Sequence, residues 1–273
     1  MKRLIFTAIL GIFTTGHLFA QNMPADTGKK SEDSSQTAEP KILISYGKHL
    51  SSNEKPDTAW HNKQHYPKGY LGITFSRFDL GLATLVDNGS FTLSPQNQFL
   101  RYRSWKTSNV GFDVFQMGVK FSPSFKIYLS GGFDWTLIRL RENGTILPDQ
   151  PVLTFRPDNV NYSKNRFSSS YLRIPLSFDF RTQPGGHGNR FHFVFGPDGG
   201  FLLEGMVKQI SKEFGKQKIY DTYHFATFRY GGFFRMGYGD FGIFAKYYFN
   251  DMFENSPQQA GLKNFSFGFT LGF

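Results

Sequence analysis

After Pro67 apolar and polar residues alternate with a period of two, the mark of strands whose two faces meet different surroundings. The last segment is the clearest: Phe265, Phe267, Phe269, Leu271 and Phe273 fall on one face, and Asn264, Ser266, Gly268, Thr270 and Gly272 on the other. Phe241, Ile243, Ala245, Tyr247 and Phe249 oppose Gly242, Lys246, Tyr248 and Asn250 in the same way. Leu172, Ile174, Leu176, Phe178 and Phe180 oppose Tyr171, Arg173, Ser177, Asp179 and Arg181. Phe191, Phe193 and Phe195 oppose His192, Val194, Gly196 and, further on, Asp198; Ile127, Leu129, Phe133, Trp135 and Leu137 oppose Lys126, Ser130, Asp134 and Thr136. Less regular alternation over 70–79, 110–122 and 223–238 brings the expectation to eight strands.

The links between these strands alternate in length. Long or basic ones (80–109, 141–167, 205–222) are separated by short ones at 122–124, 182–189 and 239–240. Short turns at one end and long loops at the other describe an antiparallel up-and-down transmembrane β-barrel, with each strand near the ~10 residues needed to cross the hydrocarbon. In a soluble sandwich or lipocalin-like barrel the same alternation would turn the apolar face inward. The small residues on the polar faces (Gly196, Gly200, Gly231, Gly237, Gly268 and Gly272) favour the membrane reading, since a narrow lumen suits small groups and a wet surface suits Lys, Glu and Thr.

Composition strengthens that reading. Phe, Tyr and Trp make up 18% of the chain, with 33 Phe and 29 Gly, while only 19% of residues are charged. So much Phe without a continuous apolar run requires strands whose apolar faces are covered by something other than water. There is no Cys, which removes disulfides, thiolate metal sites and a Cys nucleophile from consideration. The formal charge of +10 suits anionic surfaces and by itself does not imply nucleic acid, which we do not expect as a partner.

Residues 1–20 read as a signal peptide: Lys2 and Arg3, an apolar stretch from Leu4 to Phe13, then Ala20. Residues 21–66 read as a periplasmic extension, partly disordered because its first part is too poor in apolar residues to fold. His61 and His65 have i, i+4 spacing, but no carboxylate constellation supports a metal site there. Residues 67–273 form the barrel domain.

Within that domain the run Ser169-Ser170-Tyr171-Leu172-Arg173-Ile174-Pro175-Leu176-Ser177-Phe178 resembles the YLxIPL strand of the outer-membrane β-barrel domain family widespread in Bacteroidetes, to which the PorT-type secretion protein is related. FHFVFGPDGGFLL (191–203) is similar to that family's next strand, and residues 229–255 and 263–273 to its closing hairpin. The resemblance implies an outer-membrane location. Arg173 stands where the family pattern leads one to expect a small or acidic residue, and Pro175 inside a strand is expected to mark a bulge or kink.

Catalytic candidates are sparse. His192 or His224 with Asp198 or Asp221 could serve as a base beside a Ser nucleophile, but no GxSxG, HExxH, Walker loop or dinucleotide fingerprint is present. We therefore expect no catalytic residues, no metal and no cofactor. Three residue sets are singled out instead. Arg173, Asp179, Arg181, Asp198, Arg229, Arg235 and Lys246 face inward and are expected to pair across the lumen. Lys208, Lys212, Lys216 and Lys218 make an outer loop basic enough to contact the phosphates of lipopolysaccharide. Phe265, Phe267, Phe269, Leu271 and Phe273 resemble the terminal signal read by the barrel-insertion machinery. The expected role is that of a non-enzymatic envelope protein with a closed lumen, possessing loops free to bind an envelope partner. The alternatives are an accessory of a secretion or envelope-assembly machine, and a lipid-modifying outer-membrane enzyme.

Overall fold

A computed structural model of the chain describes residues 43–46, 66–73, 77–184 and 189–273. The signal-peptide expectation and His61 and His65 lie outside the described residues. In chain order the strands are β1 (Leu43–Tyr46), β2 (Lys68–Ile73), β3 (Phe78–Asp87), β4 (Ser108–Ser122), β5 (Phe125–Arg139), β6 (Gly144–Ile146), β7 (Phe155–Pro157), β8 (Tyr162–Arg181), β9 (Phe191–Ser211), β10 (Gly215–Asp221), β11 (Phe228–Tyr238), β12 (Phe241–Tyr248) and β13 (Leu262–Leu271).

Eight of them close a ring: β3 pairs β4, β4 pairs β5, and the circuit runs on through β8, β9, β11, β12 and β13 back to β3. Every pair in the ring is antiparallel. The first predicted strand is two pieces. β2 pairs the second half of β4 and β3 pairs its first half, so both occupy one place in the wall. β1 runs parallel to β2.

The apolar faces point out. Phe78, Leu80, Leu129, Ile174, Phe180, Phe193, Phe195, Phe234, Ile243, Phe267 and Phe269 are exposed, and neighbouring rings stack along the outer wall, as Phe133 does on Trp135 and Phe180 on Phe195. Exposed apolar area on this scale is the lipid-facing band of a transmembrane barrel. The inner faces carry buried Asp, Arg, Lys, Asn, Ser and Thr.

The strands outrun the alternation that revealed them. β8 has 20 residues and β9 has 21, whereas about ten suffice to cross the hydrocarbon. At the long-loop end the polarity of the two faces inverts. Leu85, Ile138, Leu140, Phe167, Val207 and Leu262 point inward and are buried, while Arg139, Arg166 and Lys208 point outward. The links at this end fold over the mouth. β6 and β7 form a small hairpin, and Leu100, Ile146, Leu153, Tyr223, Phe225 and Phe253 join the inward residues in one apolar cluster. Phe167, Phe225 and Phe253 form a mutual triad, with ring centroids 4.6, 5.1 and 6.1 Å apart. Asp158 pins the β6–β7 hairpin by accepting from the Thr145 and Tyr162 hydroxyls. Burial opposes ionisation of this carboxyl, but the hydrogen bonds outweigh it and hold its pKa below the ordinary value.

Three expectations need correction. Residues 208–218 are not a loop: Lys208 lies in β9, Lys216 and Lys218 lie in β10, and only Lys212 sits in the turn between them. Pro175 marks no bulge, because the β8–β9 register is the same on both sides of it; the shift falls between Ser170 and Tyr171. Phe273 does not share the outer face of β13. Gly272 has φ +82°, a conformation that favours Gly, and it turns the last residue inward. The Phe273 ring is buried 4.9 Å from that of His192, in a cluster with Tyr128, Val194 and Phe233.

Candidate functional site

The lumen holds two ionic clusters. The larger is built on Asp79 and Asp134, from β3 and β5. Asp79 Oδ2 meets Arg173 Nη1 at 3.1 Å, Arg235 Nη2 at 2.8 Å and Lys246 Nζ at 2.9 Å, and its Oδ1 accepts from the Thr270 hydroxyl at 2.7 Å. Asp134 meets Arg229 Nη2 at 2.7 Å and Lys246 Nζ at 2.9 Å, and accepts from Asn109 Nδ2 at 2.9 Å. Asp113 joins Arg173 at 3.3 Å to Arg77 at 3.1 Å. These partners come from β3, β4, β5, β8, β11, β12 and β13, so the network spans the lumen instead of following one strand. The Arg229 guanidinium lies between the Tyr171 and Tyr248 rings, 3.9 and 4.2 Å from their centroids, which adds cation–π attraction to its ion pair.

The smaller cluster lies nearer the short turns. Asp179 takes Lys126 at 3.1 Å and Arg181 at 3.0 Å, with His192 Nδ1 at 3.8 Å. Beside it the buried Phe273 ring packs against His192.

Some inward glycines make room for this chemistry. A Cβ on Gly111 would stand 3.0 Å from both Arg173 Nη1 and Asp134 Oδ2, and one on Gly200 would stand 3.2 Å from Arg229 Nε. Others serve the wall: a Cβ on Gly81, Gly196 or Gly231 would strike the backbone carbonyl of the adjoining strand.

Of the seven lumen residues singled out from sequence, the structure brings Arg173, Arg229, Arg235 and Lys246 into the larger cluster and Asp179 with Arg181 into the smaller one. Asp198 differs from expectation. It is buried, and among the described residues it forms no ion pair; the Tyr248 hydroxyl stands 3.4 Å from Oδ2, and Oδ1 has no hydrogen-bond partner among them. Sequence reasoning missed Arg77, Asp79 and Asp113. The signal for Asp79 was its inward parity with Gly81. Asp113 was hidden by a bulge between Asp113 and Phe115 that breaks the alternation of β4.

The histidine candidates are engaged elsewhere. His224 Nε2 is 2.7 Å from the Gln150 carbonyl, and Asp221 accepts from the Asp149 amide at 3.0 Å. Both therefore fix the 147–150 segment over the mouth. Among the described residues no group of three or more His, Asp or Glu side chains is placed to hold a metal.

A closed ring of eight antiparallel strands, apolar outside and ionic inside, defines a transmembrane β-barrel of the outer-membrane type. A family model, that of the outer membrane protein β-barrel domain, matches residues 69–254, and the chain belongs to this family. It is an outer-membrane protein. No curated protein and no solved structure matches the chain.

Proposed function

We propose that the protein is a non-enzymatic, non-conducting component of the outer membrane that works through its capped end and its N-terminal extension. The observation that carries this reading is the dryness of the mid-lumen charges. Arg235 and Asp134 have 0% of their surface exposed, and Arg173 and Lys246 have 1%. In an open pore those heads would be wet. An eight-stranded barrel is narrow enough for side chains to fill, and here ion pairs fill its middle while the apolar cluster covers one mouth.

The test is planar-bilayer recording on refolded protein. We expect no discrete conductance; stable, reproducible single-channel steps would overturn the reading and make a small porin the better account. A role in a secretion or envelope-assembly machine is the second reading, favoured by the likeness of the YLRIPL strand (171–176) to the PorT-related Bacteroidetes barrels. It predicts that crosslinking in whole cells captures defined envelope subunits.

A further inference from the structure

The corrected position of the lysines exposes a feature that a loop would have concealed. Arg139 on β5 pairs directly with Arg166 on β8, Arg166 pairs with Lys208 on β9, and Lys208 pairs with Lys218 on β10. Directly opposed residues share a face, so four cations stand in one row across four strands, with neighbouring Cβ atoms about 5 Å apart. Ile138, Phe167 and Val207, next to three of them in sequence, point inward and are buried, which puts the row on the outer wall. Lys164 and Lys216 flank Ile210 just beyond it and extend the positive field. Among the described residues no carboxylate pairs with any of the four: Glu142 pairs with Arg101, and Asp158 with Arg156. Like charges directly opposite weaken strand pairing, so the row lacks the counter-charge that would make it favourable within this chain.

Its height is set by the inversion of polarity. On β5, Trp135 and Leu137 lie immediately below Arg139 on the same face; on β9 Met206, the exposed Glu204 and Leu203 lie below Lys208, and on β8 Ser168 and Ser170 lie below Arg166, so β5 marks the height most sharply. The row therefore stands where the apolar band ends, at headgroup level, on the long-loop end that faces outward in barrels of this type. We infer that the outer face of the β5–β8–β9–β10 sheet binds an outer-leaflet lipid whose headgroup carries two phosphates. The phosphates would bridge the row, with Arg166 suited to bidentate contact and Arg139, whose Nη2 donates to the Ser163 carbonyl, offering its remaining donors, and the acyl chains would lie on Trp135, Leu137 and Leu203. This goes beyond the closed-lumen reading and does not depend on it.

Native mass spectrometry of the refolded full chain in detergent, with bis-phosphorylated lipid A as the probe, tests the site. We expect at least tenfold weaker retention in the Arg139→Gln/Arg166→Gln/Lys208→Gln variant, and in the wild type offered fully dephosphorylated lipid A. Lys212→Gln, in the turn, should leave retention unchanged. Heat-modifiable migration establishes that the variants are folded, and Lys208→Gln alone should lose about threefold if the triple variant fails to fold. Without lipid the triple variant should melt no lower than wild type, because a repulsion has been removed. Retention within twofold of wild type in the folded triple variant, equal retention of dephosphorylated lipid, displacement by equimolar inorganic pyrophosphate, or a lower melting temperature without lipid would each overturn the assignment.

Discussion

Asp134 and Asp198 are inward-facing buried carboxylates that feel the same three cations, Arg173, Arg229 and Lys246, but only Asp134 is in direct contact with them. Asp134 is held by Arg229, Lys246 and Asn109. Removing it strands at least one buried cation, a loss of about 3–5 kcal/mol for a broken buried pair. Asp134→Ala should therefore unfold at markedly lower urea in detergent, with the heat-modifiable band as readout. Among the described residues no cation stands within ion-pairing distance of Asp198, although Arg173, Arg229 and Lys246 act on it from farther off, so Asp198→Asn breaks no direct pair. We expect it to change stability by no more than ~1 kcal/mol, or to raise it, since an unpaired buried charge is itself costly. A loss at Asp198 comparable to that at Asp134 would mean that Asp198 is ion-paired after all. Parity along a strand told which side chains face the lumen, but not which of them meet. The partners of Asp79 and Asp134 lie 94, 112 and 156 positions away for Arg173, Lys246 and Arg235. Barrel closure brings them together, and no local pattern encodes it.

The strands themselves were legible where lipid lies outside and charge inside, and illegible where that contrast reverses. Toward the long-loop end the inner residues become Leu85, Ile138, Phe167 and Val207, and the outer ones Arg139, Arg166 and Lys208. Alternation continues there with its sense inverted, so a reading tuned to the membrane band stops near Leu137, Tyr171 and Asp198. The β9–β10 hairpin was lost for the same reason. Its turn is closed by Gly215 at φ +63° and by the Ser211 hydroxyl accepting from the Phe214 amide. Lys212→Cys should react with an impermeant maleimide on intact cells and Asp240→Cys, in a short turn, should not; the opposite pattern would invert the topology. The end of β13 was misread because Gly272 flips the final residue. Phe273→Ala leaves a void beside His192 and Tyr128 and should cost about 3 kcal/mol or more, seen as a reduced yield of heat-modifiable barrel in the outer membrane. An unchanged yield would show that the inward ring is dispensable.

At the scale of the molecule, the lumen is obstructed by unlike means, two ionic clusters along its length and an apolar cap at one mouth. The mid-lumen obstruction is ionic and draws its charges from six of the eight wall positions, with the Thr270 hydroxyl added from a seventh, so that it stiffens the ring as it fills it. The obstruction at the mouth is apolar: loop residues such as Leu153, Phe225 and Phe253 close over inward side chains of the wall. Ionic filling alone would leave water at the mouth free to compete for the charges, and an apolar cap reduces that access. Arrangement in series makes a specific prediction. Replacing residues 142–160 with a short Gly-Ser linker removes the β6–β7 hairpin and its contribution to the cap. The ion pairs below remain, so this variant should refold, show a lower melting temperature, and still give no single-channel steps. Adding Arg173→Ala and Asp179→Ala to it opens the larger network at the residue that joins Asp79 to Asp113 and dissolves the smaller cluster in series with it, and discrete conductance should then become measurable. Steady steps from the loop replacement alone would show that the cap is the sole seal and that the mid-lumen ion pairs leave a passable channel.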